Sequence, residues 1–365
     1  MRVLVYGFSG KILGGIETFI LNMNEHMSPN CVFDYVIDGN ECVYSELIEK
    51  RGGKVFFVPG VRKHPVGYIL GLWKILGAQK RDGTELFYYQ LFSMANIVPA
   101  ILAKIKGYKV ILHAHNNGLQ SKGKVYKVIH LMGKRISRSL NAVHFTNSKL
   151  SSDYMFGPNV HSEVIYNAID LQRFAFCQEA RDKVRKIIGS EERIVVGFVG
   201  RLSRQKNPVF MLRTFAEIAR KVEKCELWIV GEGELKTIMV EEIEKLDVGD
   251  KIKWLGRRGD VNELMMGMDL LLQPSLFEGL GIVLIEAQAT GLPVITSKDV
   301  IPEEAVATPL IKFVSLDDNP STWADKCISL IKDIKKEKRE NETKGFPASF
   351  DINKEAVRLE NLLNK

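Results

Sequence analysis

Residues 274–287 read PSLFEGLGIVLIEA, and this segment decides the fold that the sequence predicts. It follows an apolar run at 268–272, which predicts a buried strand. Its turn, rich in Pro and Gly, leads into an apolar helix that the sequence Gly291-Leu292-Pro293 ends. The segment therefore predicts a strand, a loop and a helix in direct succession.

The first turn of this helix is a predicted anion site. Unpaired backbone N–H groups and the positive end of the helix dipole meet there, and Gly279 and Gly281 let a ligand approach the main chain closely. The residues expected to line a bound phosphate ligand are Gly279, Leu280, Gly281 and Ile282.

Two carboxylates flank the predicted anion site. Glu278 lies in the loop and Glu286 follows eight residues later, at about 12 Å if the interval is helical. Carboxylates accept hydrogen bonds from vicinal hydroxyls, so the pair suits a ligand with a polyhydroxylated ring at each end and phosphates between. A nucleotide-sugar fits this description. The competing interpretation is a solvated Glu pair, but the apolar character of the helix favours a cleft for Glu286.

Length and composition indicate a globular protein of two domains. The chain has 365 residues, of which 45% are hydrophobic and 26% charged. Five scattered cysteines without CxxC spacing predict neither disulfides nor a zinc site. The beginning of the chain lacks the pattern of a signal peptide, and no apolar run is long enough for a bilayer, so a cytoplasmic location is expected.

Positive charge is concentrated in the first half. Residues 1–170 hold 20 Lys and Arg against 12 Asp and Glu, whereas residues 171–365 hold 31 against 32. Between Arg62 and Lys149 the balance is 15 to 2. Together with Trp73 and its apolar neighbours Tyr68, Leu72, Ile75 and Leu76, this field predicts an anionic membrane surface as a partner, against the alternative of a solubilising face. Nucleic acid ranks lower, because no recognition motif accompanies the charge.

Short β-branched or aromatic runs alternate with helical patterns in both halves, which predicts two parallel sheets covered by helices. The expected domains are residues 1–172 and 191–345, joined by a linker at 173–190. The final segment, 346–365, predicts an amphipathic helix. The predicted strands are Val3–Tyr6, Phe33–Ile37, Val55–Val58, Leu86–Tyr89, Val110–His113, Ala142–Thr146, Val164–Tyr166, Ile194–Val199, Glu226–Val230, Ile252–Leu255, Leu270–Gln273, Val294–Thr296 and Ile311–Val314.

Cations follow the first strand of the second half. Arg201 ends that strand and Lys206 lies in the next loop, so the pair is expected to neutralise a diphosphate. For Lys206 alone, a surface-loop position is the simpler interpretation. No Asp-x-Asp pair is present, which argues against a metal in this role.

Glycines follow two other strands. Gly14 and Gly15 precede a helix, where their amides suit a donor phosphate, although glycine-rich turns are common in α/β folds. Gly231 and Gly233 are expected beside a base-binding pocket.

Two histidines end a strand of the first half. His113 and His115 point the same way by alternation, and at least one is expected at a cleft. A single histidine is usually interpreted as a buried structural residue, whereas two histidines at the end of one strand favour a position in a binding cleft. Asn147 and Ser148, after the next strand, are expected to add polar contacts.

These motifs together resemble the retaining GT-B glycosyltransferases of family four, the glycosyl transferases group 1, which include bacterial capsule and exopolysaccharide enzymes. The resemblance spans nearly the whole chain. It rests on Gly14-Gly15, Tyr166-Asn167-Ala168-Ile169-Asp170, Gly200 to Lys206, Val230 to Gly233, and Pro274 to Glu286. It implies two Rossmann-like doubly wound domains that face an interdomain cleft, with a last helix that returns to the first domain.

The resemblance also implies residue roles. Glu278 would hold the hydroxyls of the donor sugar, Glu286 the ribose, and Arg201 with Lys206 the diphosphate. Gly15 would approach the donor phosphate. A histidine would face the transferred sugar, with His115 favoured and His113 left open; Asn167 is a further possible contact.

The sequence thus predicts a metal-independent retaining glycosyltransferase on the inner face of the plasma membrane. It would move a sugar from a nucleotide-sugar, by family expectation a UDP-sugar, to a lipid-linked or oligosaccharide acceptor in surface polysaccharide synthesis. No cofactor is expected besides the donor as co-substrate. The alternatives are a nucleotide-sugar epimerase and a non-catalytic nucleotide-binding scaffold.

Overall fold

The computed structural model describes residues 1–11, 14–118, 123–334, 339 and 342–365. The chain divides into two compact units. Unit 1 comprises Met1–Ala168 and Ala348–Lys365, and unit 2 comprises Ile169–Pro347. Among the residues described, no helix is long and apolar enough to cross a membrane.

Unit 1 alternates strands and helices from its first residues. Its elements in chain order are β1 (Arg2–Tyr6), α1 (Gly15–His26), β2 (Val32–Asp38), α2 (Ser45–Lys50), β3 (Val55–Val58), α3 (Pro65–Arg81), β4 (Leu86–Leu91), α4 (Val98–Ile105), β5 (Lys109–Ala114), α5 (Lys124–Ser139), β6 (Val143–Thr146), α6 (Lys149–Met155) and β7 (Glu163–Val164).

The sheet of unit 1 is parallel, with the strand order β3-β2-β1-β4-β5-β6-β7. Both of its faces are covered, which is why its strands are almost continuously apolar. Val3 and Val5 of β1 join one core, and Leu4 and Tyr6 join the other, as the two-residue period of a strand requires.

Unit 2 repeats this alternation. Its elements are α7 (Gln178–Ile188), β8 (Ile194–Val199), α8 (Pro208–Lys221), β9 (Cys225–Val230), α9 (Lys236–Leu246), β10 (Ile252–Gly256), α10 (Val261–Gly267), β11 (Leu270–Gln273), α11 (Ile282–Ala289), β12 (Val294–Ser297), β13 (Ile311–Val314) and α12 (Pro320–Ile334).

The sheet of unit 2 is also parallel, in the order β10-β9-β8-β11-β12-β13. Counted from the first strand of each unit, both sheets share the order 3-2-1-4-5-6, which is that of a Rossmann fold. The predicted pair of Rossmann-like sheets is therefore confirmed, and every predicted strand is found within two residues at either end.

The segment predicted as a linker, 173–190, is instead an integral part of unit 2. It includes α7, and Arg181 and Arg185 of this helix reach Asp269 at 2.5 and 3.2 Å. Burial would raise the pKa of Asp269, but the two guanidinium groups hold it below its usual value. The polar composition that suggested a linker reflects this ion-paired helix.

The last helix, α13 (Ile352–Asn364), lies in unit 1. Its apolar side joins the same core as Phe19 and Met23 of α1. Glu355 of α13 accepts a hydrogen bond from the backbone N–H of Tyr166 at 2.9 Å, and Arg358 pairs with Glu163 at 2.7 Å.

One detail of the predicted membrane surface is wrong. Tyr68, Leu72 and Leu76 of α3 are fully buried in the core of unit 1, so they are not available to an interface. Their spacing of four residues is that of the core-facing side of an amphipathic helix.

Candidate functional site

The loops after β8 and β11 meet at the topological switch point of unit 2. β8 and β11 are neighbours, and the strand order reverses between them, which is where ligands bind in such sheets. The backbone N–H of Leu276 donates to the carbonyl of Gln205 at 2.8 Å, and the Gln205 amide donates to the carbonyl of Phe277 at 3.0 Å. These bonds fix one loop against the other.

A largely buried ion pair joins the same loops. Lys206 Nζ lies 2.5 Å from Glu278 Oε1, and the two side chains are 16% and 7% exposed. The Ser275 hydroxyl donates to the same oxygen at 2.8 Å, and the Gln205 amide lies 3.4 Å from Oε2. Removal of either partner would leave a charge with little water around it, so the pair holds both groups in place.

Glu286 lies in α11, one turn after the loop that contains Glu278. Gly281 caps this helix in the left-handed region, with φ +79°, where a side chain would be strained. Burial raises the pKa of Glu286 to about 7, against the opposing attraction of Arg173 and Lys206. At neutral pH this carboxyl group is therefore shared between its protonated and charged forms, and it can both donate to and accept from hydroxyl groups.

Arg201 has a different partner from Lys206. Its Nε donates to Glu234 at 3.1 Å, and both side chains are more than half exposed. Arg201 follows β8 and Glu234 follows β9, so this surface pair lies at the same edge of the sheet. The structure thus places both predicted cations in the loop after β8, one buried in an ion pair and one at the surface.

The predicted glycines after β9 allow two loops to touch. A Cβ at Gly231, where φ is +135°, would lie 2.0 Å from the Gly200 carbonyl oxygen, and one at Gly233 would lie 2.4 Å from that of Leu202. Leu202 also donates its backbone N–H to the carbonyl of Glu232 at 3.0 Å. Packing of the two loops therefore requires glycine at both positions, independently of any ligand.

In unit 1, His113 and His115 stand together at the end of β5, with ring centroids 4.0 Å apart. His113 is fully buried, and its Nδ1 is hydrogen-bonded at 2.6 Å to the hydroxyl of Tyr88, whose own pKa burial raises. His115 is partly exposed, and its Nε2 donates to Gln90 Oε1 at 2.7 Å. His115 is the more accessible of the two.

Both histidines are neutral at physiological pH. Burial lowers the pKa of His115 to about 3 and that of His113 well below its usual value, with the neighbouring His115 adding to the latter effect. A neutral imidazole in this setting exchanges hydrogen bonds and does not supply positive charge.

The remaining predicted polar contacts of unit 1 are buried. The Asn147 amide lies 3.4 Å from the His115 carbonyl, and Ser148 caps α6 by accepting from the backbone N–H of Ser151 at 3.2 Å. Asn167 is 6% exposed, and its Oδ1 has no hydrogen-bond partner within the described ranges.

Gly14 and Gly15 stand at the beginning of α1. Gly14 is the N-cap, and its carbonyl accepts from the backbone N–H of Thr18 at 2.9 Å. A Cβ at Gly14 would lie 2.7 Å from the carboxylate of Glu17, whereas one at Gly15 would meet no described atom within 4 Å. Among the described atoms, there is thus free space beside Gly15.

Sequence reasoning missed several groups that hold these side chains. Gln205 and Ser275 lie inside predicted loops, but nothing in a sequence distinguishes a polar side chain that contacts Glu278 from one in solvent. Arg173, whose positive charge opposes the rise in the pKa of Glu286, lies in the segment interpreted as a linker. Tyr88 and Gln90 lie on the same side of β4, a strand whose six residues are all buried, so nothing in the pattern distinguishes them from simple core positions. In the described ranges, no group of three or more His, Cys, Asp or Glu side chains is placed to hold a metal ion.

Comparison with known proteins gives a consistent picture. Residues 180–344 match the family model of glycosyl transferases group 1. A protein named as glycosyltransferase EpsF in Bacillus subtilis (strain 168) is 29% identical over 334 residues, which cover 89% of this chain and 86% of EpsF. The UDP-Gal:alpha-D-GlcNAc-diphosphoundecaprenol alpha-1,3-galactosyltransferase of Escherichia coli is 27% identical over 263 residues, 67% of this chain and 66% of that enzyme.

Solved structures of low sequence identity share the fold. Anabaena HepE, in complex with UDP and glucose, superposes with a TM-score of 0.78 at 19% identity and covers 100% of this chain and 99% of its own. WaaG, a glycosyltransferase involved in lipopolysaccharide biosynthesis, gives 0.70 at 15% identity, with 98% and 95% covered. The expected GT-B fold is confirmed. The family that the sequence resembles is thus matched over residues 180–344, a segment that lies within unit 2.

Proposed function

We propose that this glycosyltransferase moves a sugar from a UDP-sugar to a lipid-linked acceptor, with retention of anomeric configuration, in the synthesis of a bacterial surface polysaccharide. The name of the Escherichia coli relative supports the nucleotide and the acceptor class, since it specifies UDP-Gal and a diphosphoundecaprenol substrate. The enzyme would work at the inner face of the plasma membrane, where such acceptors are anchored.

The observation that carries the proposal is the buried pair of Lys206 and Glu278 at the switch point of unit 2. A carboxylate in this position accepts hydrogen bonds from sugar hydroxyls, and the ammonium group beside it neutralises a phosphate. A solvated Glu and Lys would not be held by Ser275 and Gln205 as these are.

The leaving group determines the remaining roles in unit 2. Breaking the bond between the anomeric carbon and the phosphate oxygen places charge on the departing UDP, and Lys206 and Arg201 are proposed to stabilise it in place of a metal. Glu286, with its pKa of about 7, is proposed to bind the ribose hydroxyls. The amides around Gly279, Gly281 and Ile282 at the beginning of α11 suit the phosphates.

In unit 1, His115 is proposed as the group next to the transferred sugar. Its neutral ring, held by Gln90, suits a hydrogen bond to a hydroxyl and not the stabilisation of an anion. Gly15, beside open space, is proposed to approach the donor phosphate. No nucleophile is assigned, so retention is proposed to follow from attack by the acceptor on the face that the UDP leaves.

The test is a screen of the purified protein against UDP-, GDP- and ADP-sugars by thermal shift and by slow donor hydrolysis. We expect UDP-sugars to raise the melting temperature and to be hydrolysed by the wild type, with both effects lost in Glu278→Gln. Glu241→Gln, an exposed position on α9, is the matched control. Equal hydrolysis by wild type and Glu278→Gln would contradict the assignment, and an intact nucleotide-sugar of changed configuration, formed without an acceptor, would indicate an epimerase.

A further inference from the structure

Helix α5 of unit 1 presents an apolar stripe to solvent. Five side chains form this α5 stripe, at the spacing of 3, 4, 7 and 11 residues that places them on one side of a helix. They are between 37% and 73% exposed, although side chains of this kind are usually covered. The residues are Val125, Val128, Ile129, Met132 and Ile136.

The opposite side of α5 fixes the helix to unit 1. His130 accepts at Nδ1 from the backbone N–H of Met94 at 3.2 Å, and a Cβ at Gly133 would lie 2.0 Å from the Met94 carbonyl oxygen. The ammonium group of Lys134 donates to the carbonyl of Asp153 at 3.3 Å. Since its small and polar side is the one that packs, α5 is oriented with its apolar side outward, opposite to an ordinary amphipathic helix of a sheet protein.

Positive charge borders the α5 stripe. Four exposed cations lie on the neighbouring side of the helix, the last three of them 3, 11 and 14 residues after the first. They are Lys124, Lys127, Arg135 and Arg138. The sequence contains no Asp or Glu between Glu85 and Asp153. An exposed apolar stripe with basic residues beside it and no acid is the pattern of a helix that lies in a membrane interface.

We propose that α5 docks unit 1 on an anionic lipid surface, with the α5 stripe inserted among the lipids and the four exposed cations against phosphate groups. The inference rests on the proposed lipid-linked acceptor, because an enzyme docked in this way meets its acceptor at the bilayer. A second copy of the chain is a poorer occupant, since two such helices would bring their like charges together. The surface differs from the one expected from the sequence, because Tyr68, Leu72 and Leu76 of that expected surface are buried on α3.

The experiment is co-sedimentation of the whole protein with vesicles of phosphatidylcholine, with and without about 30% phosphatidylglycerol. We expect binding to the anionic vesicles only, weakened by salt. The double variant Lys127→Gln/Arg135→Gln should bind about 25-fold more weakly, since each cation near such a surface contributes about fivefold. Val128→Gln/Met132→Gln should weaken binding by at least about tenfold through the loss of inserted apolar area.

Matched controls lie on helices of unit 2. Ile187→Gln/Val240→Gln replaces exposed apolar residues, and Lys186→Gln/Lys245→Gln replaces exposed cations, so both should bind vesicles like the wild type. Circular dichroism and melting temperature should show every variant folded. Equal binding by α5 variants and controls, or no vesicle binding by the wild type, would overturn the proposal. So would a stable dimer in sedimentation equilibrium that the α5 stripe variant abolishes.

Vesicle binding is measured without donor or acceptor, so its outcome is independent of the proposed reaction. Slow hydrolysis of UDP-sugar in the absence of lipid is expected to be the same in the α5 variants and the wild type. If the wild type does not hydrolyse UDP-sugar, this result contradicts the proposed function alone. If it does not bind anionic vesicles, this result contradicts the α5 surface alone.

Discussion

The two sheets share one strand order, yet the side chains at the carboxyl ends of their strands differ in charge. In unit 2, the loops after β8 and β11 hold Lys206 and Glu278 as a buried ion pair. In unit 1, the end of β5 holds His113 and His115, which burial keeps neutral. Strand order determines where polar groups gather, and the loop sequences determine which chemistry the place can support.

This difference in charge between the two sheet ends predicts that the loss of a charged side chain lowers sugar transfer most in unit 2. Lys206→Ala should lower sugar transfer by about 100- to 1000-fold, because the leaving diphosphate loses a preorganised cation and Glu278 loses its partner. Steady-state kinetics with a UDP-sugar measures this. Lys221→Ala removes an exposed lysine of unit 2 that pairs with Asp325, and should change the rate less than about twofold. Similar rates in the two variants would remove Lys206 from the reaction.

The histidines of unit 1 should separate into one functional and one structural residue. His115→Ala is expected to lower turnover by about 10- to 100-fold through a lost contact to the sugar. His113→Ala should instead destabilise the fold by about 1–3 kcal/mol, since the buried hydroxyl of Tyr88 loses its hydrogen-bond partner. Kinetics and urea unfolding of both variants measure the split. A larger loss of activity per folded molecule in His113→Ala would reverse the assignment.

Packing of the loops in unit 2 should depend on Gly231. Gly231→Ala places a Cβ against the Gly200 carbonyl at a positive φ, so a loss of about 2 kcal/mol in the free energy of unfolding is expected. Gly259→Ala, where a Cβ meets no described atom within 4 Å, is the control and should change stability by less than about 0.5 kcal/mol. Hydrogen exchange would locate the effect. Equal stability of the two variants would show that the loops separate freely.

The sequence predicts those features of the fold and the site that depend on neighbouring residues. It does not predict those that depend on contacts between distant segments. Strands such as β8 and β11 are found because period and composition are local signals. The position of Glu278 follows from the loop and helix around it, but its contacts with Lys206 and Ser275 require the two loops to meet. The side of α5 that faces solvent was not predicted, because the packing of Gly133 on Met94 decides it.

The smallest predicted effect concerns pH, and it tests whether Glu286 of unit 2 titrates near neutrality. The pKa of Glu286 is raised by burial to about 7, so the folded state holds a proton that the unfolded state releases above about pH 4.5. The stability contributed by this proton is complete below that pH and is lost as pH rises through about 7.

Between pH 5 and 8, the melting temperature of Glu286→Gln should therefore rise relative to that of the wild type, by about 2–5 °C. The buried histidines of unit 1 lower stability below about pH 6.5, where the unfolded state binds protons that the folded state does not, but this effect is the same in the wild type and in Glu286→Gln and cancels in the comparison. Glu241→Gln, whose side chain is exposed, should follow the wild type at every pH. Parallel melting curves for wild type and Glu286→Gln would mean that the carboxylate is charged throughout, and the site of unit 2 would then be a fixed cluster of charges without a group that titrates near neutral pH.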